Sequence, residues 1–244
     1  MVKIQNMYDD NDFFNKYQEM RNSKLNANEL IEIPTIKKML PDLKGKTVLD
    51  LGCGAGEMSR YFIENGAKKV VAIDISENMI SVAKSQDSTN IDYRILPLEK
   101  IDQINEKFDL IFSSLAFHYI QDFNKLMKDI YNLLNTNGIL LFSQENPIST
   151  AVILSENEKK YIEKNGKRYY LLSDYNNVSK RTHKTGLEFY HRNYETTINC
   201  IIKNGLNLIE ICEPNAPEQA VKLVSKYEYF KDRPLFLYVK AQKL

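Results

Sequence analysis

Apolar runs and amphipathic stretches alternate along this chain and give its first outline. Five short runs have the length and composition of buried strands, at residues 46–51, 69–75, 90–96, 108–115 and 139–143. Between them, apolar residues recur at helical spacing, most regularly at Phe123, Leu126 and Ile130. Because strands that alternate with helices are typical of parallel sheets, the pattern predicts an α/β fold.

The regions on either side of these strands have different patterns. Residues 1–45 are amphipathic, with breaks at Pro34 and Pro41, and predict a helical cover over the sheet. Residues 144–190 are polar and tyrosine-rich, without sustained periodicity. Residues 191–244 predict a helix, a strand at 206–212, a helical stretch and a last strand at 234–239. The length of 244 residues suits one elaborated α/β domain.

A glycine-rich turn follows the first strand. Gly52, Gly54 and Gly56 occupy alternate positions, and Asp50 stands two residues before the first of them. Glycines let the backbone turn sharply and approach a ligand, and the helix that follows offers unpaired N–H groups. A dinucleotide-binding turn would need its last glycine at position 57, where this chain has Glu57. The turn therefore favours a different nucleotide-type ligand.

This string, Asp-x-Gly-x-Gly-x-Gly after a hydrophobic run, resembles motif I of the class I S-adenosylmethionine-dependent methyltransferases. In that family the loop wraps the methionine and ribose part of the cofactor. The resemblance therefore implies S-adenosylmethionine as the cofactor, with contacts from Asp50, Gly52, Cys53 and Gly54. The late pair of strands resembles the family's reversed hairpin. It implies a Rossmann-like, roughly seven-stranded, mostly parallel sheet, with helices on both faces and a reversed last strand.

The same resemblance divides the expected single domain, 1–244, into four parts. Residues 1–45 are the N-terminal helical cover, and residues 46–143 are the cofactor-binding core. Residues 144–190 are an insertion after strand five, on the substrate side of the sheet. Residues 191–244 complete the sheet at its C-terminal end.

An acidic residue ends the second predicted strand. Asp74 lies 20 residues beyond Gly54, a spacing at which a carboxylate accepts hydrogen bonds from a ribose diol. An N-cap is the alternative role, but Ser76 already occupies that position before the next helix. Ile75 belongs to the same predicted site. Met79 is expected to face the adenine, although core packing explains a helical methionine equally well.

The ends of the third and fourth strands supply further candidates. The family usually has an acid after strand three, where this chain has Pro97. The backbone N–H of Leu98 is expected to replace that contact, and Glu99 is a second candidate. Ser113, at the end of strand four, lies in a segment that resembles motif IV and is a further candidate for the cofactor site. That segment lacks the Asn/Asp-Pro-Pro-Tyr/Phe string of nucleic-acid-base methyltransferases, which favours a small-metabolite acceptor.

Two histidines and an arginine are candidates for the chemistry. His118 and His191 are each able to act as a general base if the acceptor is a hydroxyl or an amine, although a lone histidine is often structural. Arg192 is a candidate for holding a carboxylate or phosphate, with a surface ion pair as the alternative. Residues 156–192 have nine Lys/Arg and five Asp/Glu. This excess is either a solvated face or a surface that attracts an anionic acceptor.

The N-terminal cover contributes candidates through the resemblance. Helices in this position close over the cofactor in small-molecule methyltransferases, so Tyr8, Tyr17 and Arg21 are possible contacts for cofactor or acceptor. A plain helical cover without ligand contacts is the alternative.

Composition narrows the remaining possibilities. The net charge of +1 does not favour wholesale nucleic-acid binding. The three cysteines have neither metal nor disulfide spacing and suit a reducing compartment, so we expect a cytoplasmic protein without a metal. No apolar run approaches the length of a membrane span.

The sequence as a whole predicts methyl transfer from S-adenosylmethionine to an O or N atom of a small acceptor, with an anionic acceptor among the possibilities. Three alternatives stay open: a non-catalytic cofactor-binding module, an RNA methyltransferase and an NAD-dependent oxidoreductase. The oligomeric state and the identity of the acceptor do not follow from the sequence.

Overall fold

Seven strands form the central sheet in a computed structural model that describes residues 4–86, 89–152, 159–183 and 185–244. The strands of this sheet are β1 Thr47–Leu51, β2 Lys69–Asp74, β3 Ile91–Ile95, β4 Phe108–Ser114, β5 Leu134–Glu145, β10 Leu206–Cys212 and β11 Phe236–Lys243. Their order is β3-β2-β1-β4-β5-β11-β10. Strand β11 runs in the direction opposite to the other six strands of this sheet. It pairs antiparallel with both β5 and β10, whereas the remaining pairs are parallel. The predicted sheet with a reversed last strand is confirmed.

Helices cover both faces of the sheet. They are α1 Asn11–Asn22, α2 Ile33–Met39, α3 Glu57–Glu64, α4 Glu77–Ser85, α5 Phe123–Leu133, α6 Pro147–Ala151, α7 Tyr194–Lys203 and α8 Glu218–Leu223. A π-helical turn at Asn28–Glu32 precedes α2, and 3₁₀ turns lie at Leu98–Gln103, Phe117–Tyr119 and Ser225–Lys231. None of the helices in the described part of the chain is long and apolar enough to cross a membrane.

Alternation along the strands divides the core into two apolar layers. In β1, Val48 packs with the layer that contains Phe62 of α3, whereas Leu49 packs with the layer that contains Ile130 of α5. Both strand residues are buried, because successive side chains point to opposite faces of the sheet and each face is covered by an apolar layer. The polar groups therefore collect at the carboxyl ends of the parallel strands, where the site forms.

The segment after β5 is more regular than its sequence pattern suggests. It contains two antiparallel hairpins, formed by β6 Tyr161–Lys164 with β7 Lys167–Tyr170 and by β8 Ser179–Thr182 with β9 Glu188–His191. Short strands with little burial leave only a weak apolar alternation, which explains why the sequence did not show them. The prediction that His191 and Arg192 open a helix is wrong, since His191 ends β9 and Asn193 caps α7.

Candidate active site

The turn between β1 and α3 needs glycine at three positions for different reasons. All three glycines have positive φ, in the left-handed region that other residues rarely adopt. A Cβ on Gly52 would lie 2.7 Å from Cβ of Ala116, and one on Gly56 would lie 2.3 Å from Oη of Tyr93. A Cβ on Gly54 would meet nothing within 4 Å. Packing therefore requires two of the glycines, whereas the third faces open space.

Replacing Gly54 with alanine tests this geometry. The residue has φ +53°, so alanine should cost about 1–2 kcal/mol in backbone strain. The new methyl also enters the space expected for the cofactor, and we expect affinity for S-adenosylhomocysteine to fall roughly tenfold, by analogy with the cost of overpacking. Calorimetric titration measures the change. Gly166→Ala is the matched control, because Gly166 has φ +72°, open space around it and a place in the β6–β7 turn. An equal loss of affinity in both variants would contradict the assignment.

Two carboxylates lie beside this turn. Asp74, at the end of β2, accepts hydrogen bonds from the N–H of Gly54 and of Ser76, each at 2.9 Å. Burial raises the pKa of Asp74. A carboxylate has about four lone-pair positions, so these two bonds leave capacity for a ligand. Asp50 is 1% exposed and accepts from Oγ of Ser59 at 2.5 Å, and burial raises its pKa to about 7.

A cavity of about 500 Å³ opens at this edge of the sheet. It brings together thirteen of the sixteen residues that the sequence places in the site. Nine of these are predicted cofactor residues from the core: Asp50, Gly52, Cys53, Gly54, Asp74, Ile75, Met79, Leu98 and Glu99. Tyr8, Tyr17 and Arg21 of the N-terminal cover also line it, as does His118. The cover therefore forms one wall of the cavity.

The N-terminal cover is fastened to this edge by polar contacts. Asp9 accepts hydrogen bonds from Oγ of Ser76 at 2.6 Å and from the N–H of Asn78 at 3.1 Å, at the start of α4. Gln5 exchanges two hydrogen bonds with the backbone of Glu188 in β9. These contacts tie the cover both to the core and to the second hairpin, so the cavity is enclosed from two sides.

Two of the predicted site residues lie in the interior, away from the cavity. The hydroxyl of Ser113 donates to the carbonyl of Leu51 at 2.8 Å, within the sheet. Its neighbour Ser114 lines the cavity instead. His191 is buried between Oγ1 of Thr150, 2.6 Å from Nδ1, and the carbonyl of Tyr175, 2.8 Å from Nε2. Both ring nitrogens are thus engaged by the protein, which argues against a role for His191 as a base.

Arg192 has a structural contact that the sequence did not suggest. Its guanidinium is buried, donates to the carbonyls of Ile120 and Gln121, and packs over the ring of Phe123 at 5.0 Å. Arg192 is not one of the described residues that line the cavity. It also forms no ion pair with any residue that the structure describes. Arg192 therefore holds the segment after β4 against the residues that follow β9.

Arg192→Met should destabilise the fold. Hydrogen bonds from a charged donor are worth about 1.5–3 kcal/mol. The buried carbonyl of Ile120 and the partly buried carbonyl of Gln121 would lose their donor. We expect the free energy of unfolding, measured by urea denaturation, to fall by about this amount. Lys180→Met removes an exposed ion pair with Glu188 and serves as the control, with an expected change below about 1 kcal/mol. Equal stability of both variants would show that the contacts of Arg192 contribute little.

His118 and Glu145 form the far wall of the cavity. The backbone N–H of Glu145 points to Nδ1 of His118 at 3.5 Å. Burial and the charge of Arg192 lower the pKa of His118 to about 3, so its ring is neutral at pH 7 and a weak proton acceptor. Tyr119 is also on this wall, and its ring centroid lies 4.1 Å from that of His118, with the two ring planes tilted by 52°.

Glu145 is the site residue that the sequence did not identify. It ends β5, is half-buried, and its carboxylate has no hydrogen bond or ion pair with any described residue. Burial raises its pKa to about 7, and the charge of Arg233 partly opposes the rise. Its place after the fifth predicted strand was a usable signal, because ligands bind at the carboxyl ends of parallel strands.

The charges around the cavity suit a cation. Five acids line it, Asp50, Glu57, Asp74, Glu99 and Glu145, against two arginines, Arg21 and Arg60. Arg21 is paired with Glu57 at 3.0 Å, and Arg60 donates to the carbonyl of Ala55 at 2.9 Å. A sulfonium nucleotide fits this lining, because it adds positive charge and its ribose reaches a carboxylate. In the described part of the chain, no cluster of His, Cys, Asp and Glu is placed to hold a metal ion.

A Rossmann-like sheet with a glycine turn, a carboxylate after β2 and a cavity over both is typical of α/β proteins that bind a nucleotide-type ligand. Comparison with known proteins identifies the class more closely. The family model described as a methyltransferase domain matches residues 42–198. The chain therefore belongs to this methyltransferase family. It is a class I S-adenosylmethionine-dependent methyltransferase, and S-adenosylmethionine is its cofactor.

Individual relatives agree with this assignment. An uncharacterized protein of Haemophilus influenzae is 38% identical over 98% of this chain and 97% of its own length. The crystal structure of an S-adenosylmethionine-dependent methyltransferase from Mesorhizobium loti superposes with a TM-score of 0.80 at 29% identity, over 89% of this chain and 98% of that one. The malonyl-[acyl-carrier protein] O-methyltransferase of Enterobacter lignolyticus is 34% identical over 43% of this chain and 41% of its own length. That similarity covers less than half of either protein.

Proposed function

We propose that the protein transfers the methyl group of S-adenosylmethionine to an O or N atom of a small molecule. The observation that carries this proposal is the single cavity that joins the glycine turn to the wall formed by His118, Tyr119 and Glu145. Its volume of about 500 Å³ suits a small-molecule site. Cofactor and acceptor would therefore lie in one enclosed space, as direct methyl transfer requires.

The cofactor end of the cavity has residues suited to each part of the nucleotide. Asp74 would accept the ribose hydroxyls with the lone pairs that Gly54 and Ser76 leave free. Met79 and the backbone of Leu98 would contact the adenine, and Asp50 would lie nearer to the methionine part. When bound, the cofactor supplies an electrophilic methyl group on a sulfonium.

The protein's own task is to position the acceptor and to remove its proton. The carboxylate of Glu145 would take up the proton of the acceptor O or N, which would form its bond to the methyl carbon as the sulfur–carbon bond of the cofactor broke. An acid with a pKa of about 7 is suited to this transfer, because about half of it is ionised at neutral pH and its carboxylate is more basic than that of an ordinary glutamate. His118 is a poorer base, because the pKa of its ring is about 3. We assign to His118 a positioning role, in which Nδ1 of its ring accepts a hydrogen bond from the backbone N–H of Glu145.

Two features bear on the class of acceptor. The cavity's acids outnumber its arginines, which favours a neutral or cationic group at the reactive end of the acceptor. Arg192 does not reach the cavity, so it gives no support to the anionic acceptor that the sequence allowed. The Enterobacter protein and a second partial relative are named as O-methyltransferases, and this supports an O atom as the acceptor.

A panel of small amines, alcohols, phenols and carboxylic acids tests the proposal, with S-adenosylhomocysteine release as the readout. Turnover of at least one compound is expected, together with calorimetric binding of S-adenosylhomocysteine. Binding without turnover across the panel would instead favour a cofactor-binding module. Turnover of RNA alone would replace the small molecule as the acceptor.

A further inference from the structure

A second cavity, of about 490 Å³, lies beside the first. The N-terminal cover forms one side of it, through residues 20–28, and the segment 226–235 forms the other. Met20 and Asn28 line both cavities. The two spaces are therefore neighbours on either side of the same part of the cover.

The second cavity has the opposite charge from the first. Its charged residues are Lys226 and Arg233, and no acid is found among the described residues that line it. The rest of the lining includes the rings of Tyr227, Tyr229 and Phe230. Cations set among aromatic rings are suited to an anion that is carried on an apolar body.

Arg233 lacks the partners that a guanidinium in this position normally has. The residue is half-buried, and its Nε is buried without a hydrogen-bond partner in the described part of the chain. The guanidinium lies 4.8 Å from the ring centroid of Tyr170 and forms no ion pair with a described residue. Leaving a buried donor unsatisfied costs free energy, and an anion in the cavity would remove that cost.

Arg233 is also coupled to the reactive end of the first cavity. Its positive charge opposes the burial effect on the pKa of Glu145, so the two groups are within electrostatic range. Phe236 lines the first cavity and Leu235 lines the second, and Met20 and Asn28 line both, so the two cavities adjoin at these residues. An acceptor of modest length bound in the first cavity would therefore reach the second.

We propose that the second cavity binds a carboxylate or phosphate group on an apolar or aromatic ligand, through Arg233 and Lys226, and that this group is the far end of the methyl acceptor. The second half of this inference rests on the proposed function. The anionic acceptor that the sequence allowed is thereby kept, but its charge is bound by Arg233 rather than by Arg192.

Fluorine NMR titrations test the binding site directly. The probes are 4-fluorobenzoate and 4-fluorophenyl phosphate, with 4-fluorobenzyl alcohol as the neutral control. We expect both anions, or the one of better fit, to bind wild type at least about tenfold more tightly than the alcohol, because a charged hydrogen bond is worth about one to two powers of ten. Arg233→Met should remove this preference, and Lys226→Met should reduce it.

Arg94→Met is the matched control, because Arg94 lies on β3 at the opposite edge of the sheet and pairs with Asp92 and Glu106. It should leave binding of the anions unchanged. Saturating S-adenosylhomocysteine should also leave it unchanged, since the cofactor occupies the other cavity. Displacement by S-adenosylhomocysteine, or equal binding of anion and alcohol, would overturn the proposed site.

A second measurement tests the link to the acceptor. Compounds in the acceptor panel are supplied in pairs, as carboxylate and as carboxamide. We expect wild type to have the higher kcat/KM for the carboxylate member, and Arg233→Met to lose this preference mainly through KM. Equal turnover of both members would overturn the link. Failure of wild type to bind S-adenosylhomocysteine would count against the proposed function itself, so the two failures are distinguishable.

Discussion

Asp74→Ala should lower the affinity for S-adenosylhomocysteine by roughly tenfold to a hundredfold. The reason is the loss of a charged acceptor for the ribose hydroxyls, since hydrogen bonds to charged groups are worth about 1.5–3 kcal/mol. The N–H groups of Gly54 and Ser76 lose the same acceptor, so the turn itself would also be held less firmly. Calorimetric titration measures the affinity.

The control for this prediction is Asp92→Ala, in the neighbouring strand β3. Asp92 pairs with Arg94 at the surface and is not one of the described residues that line the cavity. The Asp92→Ala variant should bind S-adenosylhomocysteine as wild type does. Circular dichroism melting of both variants shows whether the fold is retained. An unchanged affinity in a folded Asp74→Ala protein would remove Asp74 from the cofactor site.

Glu145→Gln should lower kcat by about 10²–10⁴, the range typical of a lost general base. Glutamine keeps the size of the side chain but cannot accept the acceptor's proton. Affinity for S-adenosylhomocysteine should change little, because Glu145 ends β5, two strands away from β1 and the glycine turn that follows it. Glu64→Gln, on the exposed end of α3, is the control and should keep wild-type kcat.

The pH dependence provides an independent check on Glu145. Its carboxyl must be ionised to accept a proton, so kcat should rise with pH through about 7 and level off above it. Carbon-13 NMR of the labelled carboxyl, in the absence of an acceptor, should show a titration midpoint near the same value. A midpoint close to the ordinary value for glutamate would contradict the role as base, whichever acceptor is used.

The sequence by itself determined the features that depend on short stretches of chain. The glycine turn after Asp50 and the spacing to Asp74 are local, because the backbone conformations that they need restrict the residue types allowed there. The buried strands were equally legible, since a strand covered on both faces consists of nearly continuous apolar residues. Together these signals predicted the family, the sheet and most of the residues that line the cavity around the glycine turn.

The sequence did not reveal in which direction the side chains of these strands point. Ser113 and Ser114 are neighbours with similar chemistry, but one bonds to Leu51 inside the sheet and the other lines the cavity. Successive residues of a strand point to opposite faces, so the choice depends on register rather than on residue type. The sequence pattern could not decide between them.

Only the tertiary structure decided which residues line the far wall of the first cavity and which line the second cavity. Glu145, Arg192 and Arg233 are all charged residues in polar stretches. The neighbouring residues in the sequence do not show whether such a side chain lines a cavity or forms hydrogen bonds in the interior. Arg192 became structural because the chain brings it to the carbonyls of Ile120 and Gln121, some 70 residues earlier. The second cavity unites residues 20–28 with residues 226–235, from opposite ends of the chain. Burial and charge at such places arise from long-range packing, which no local pattern encodes.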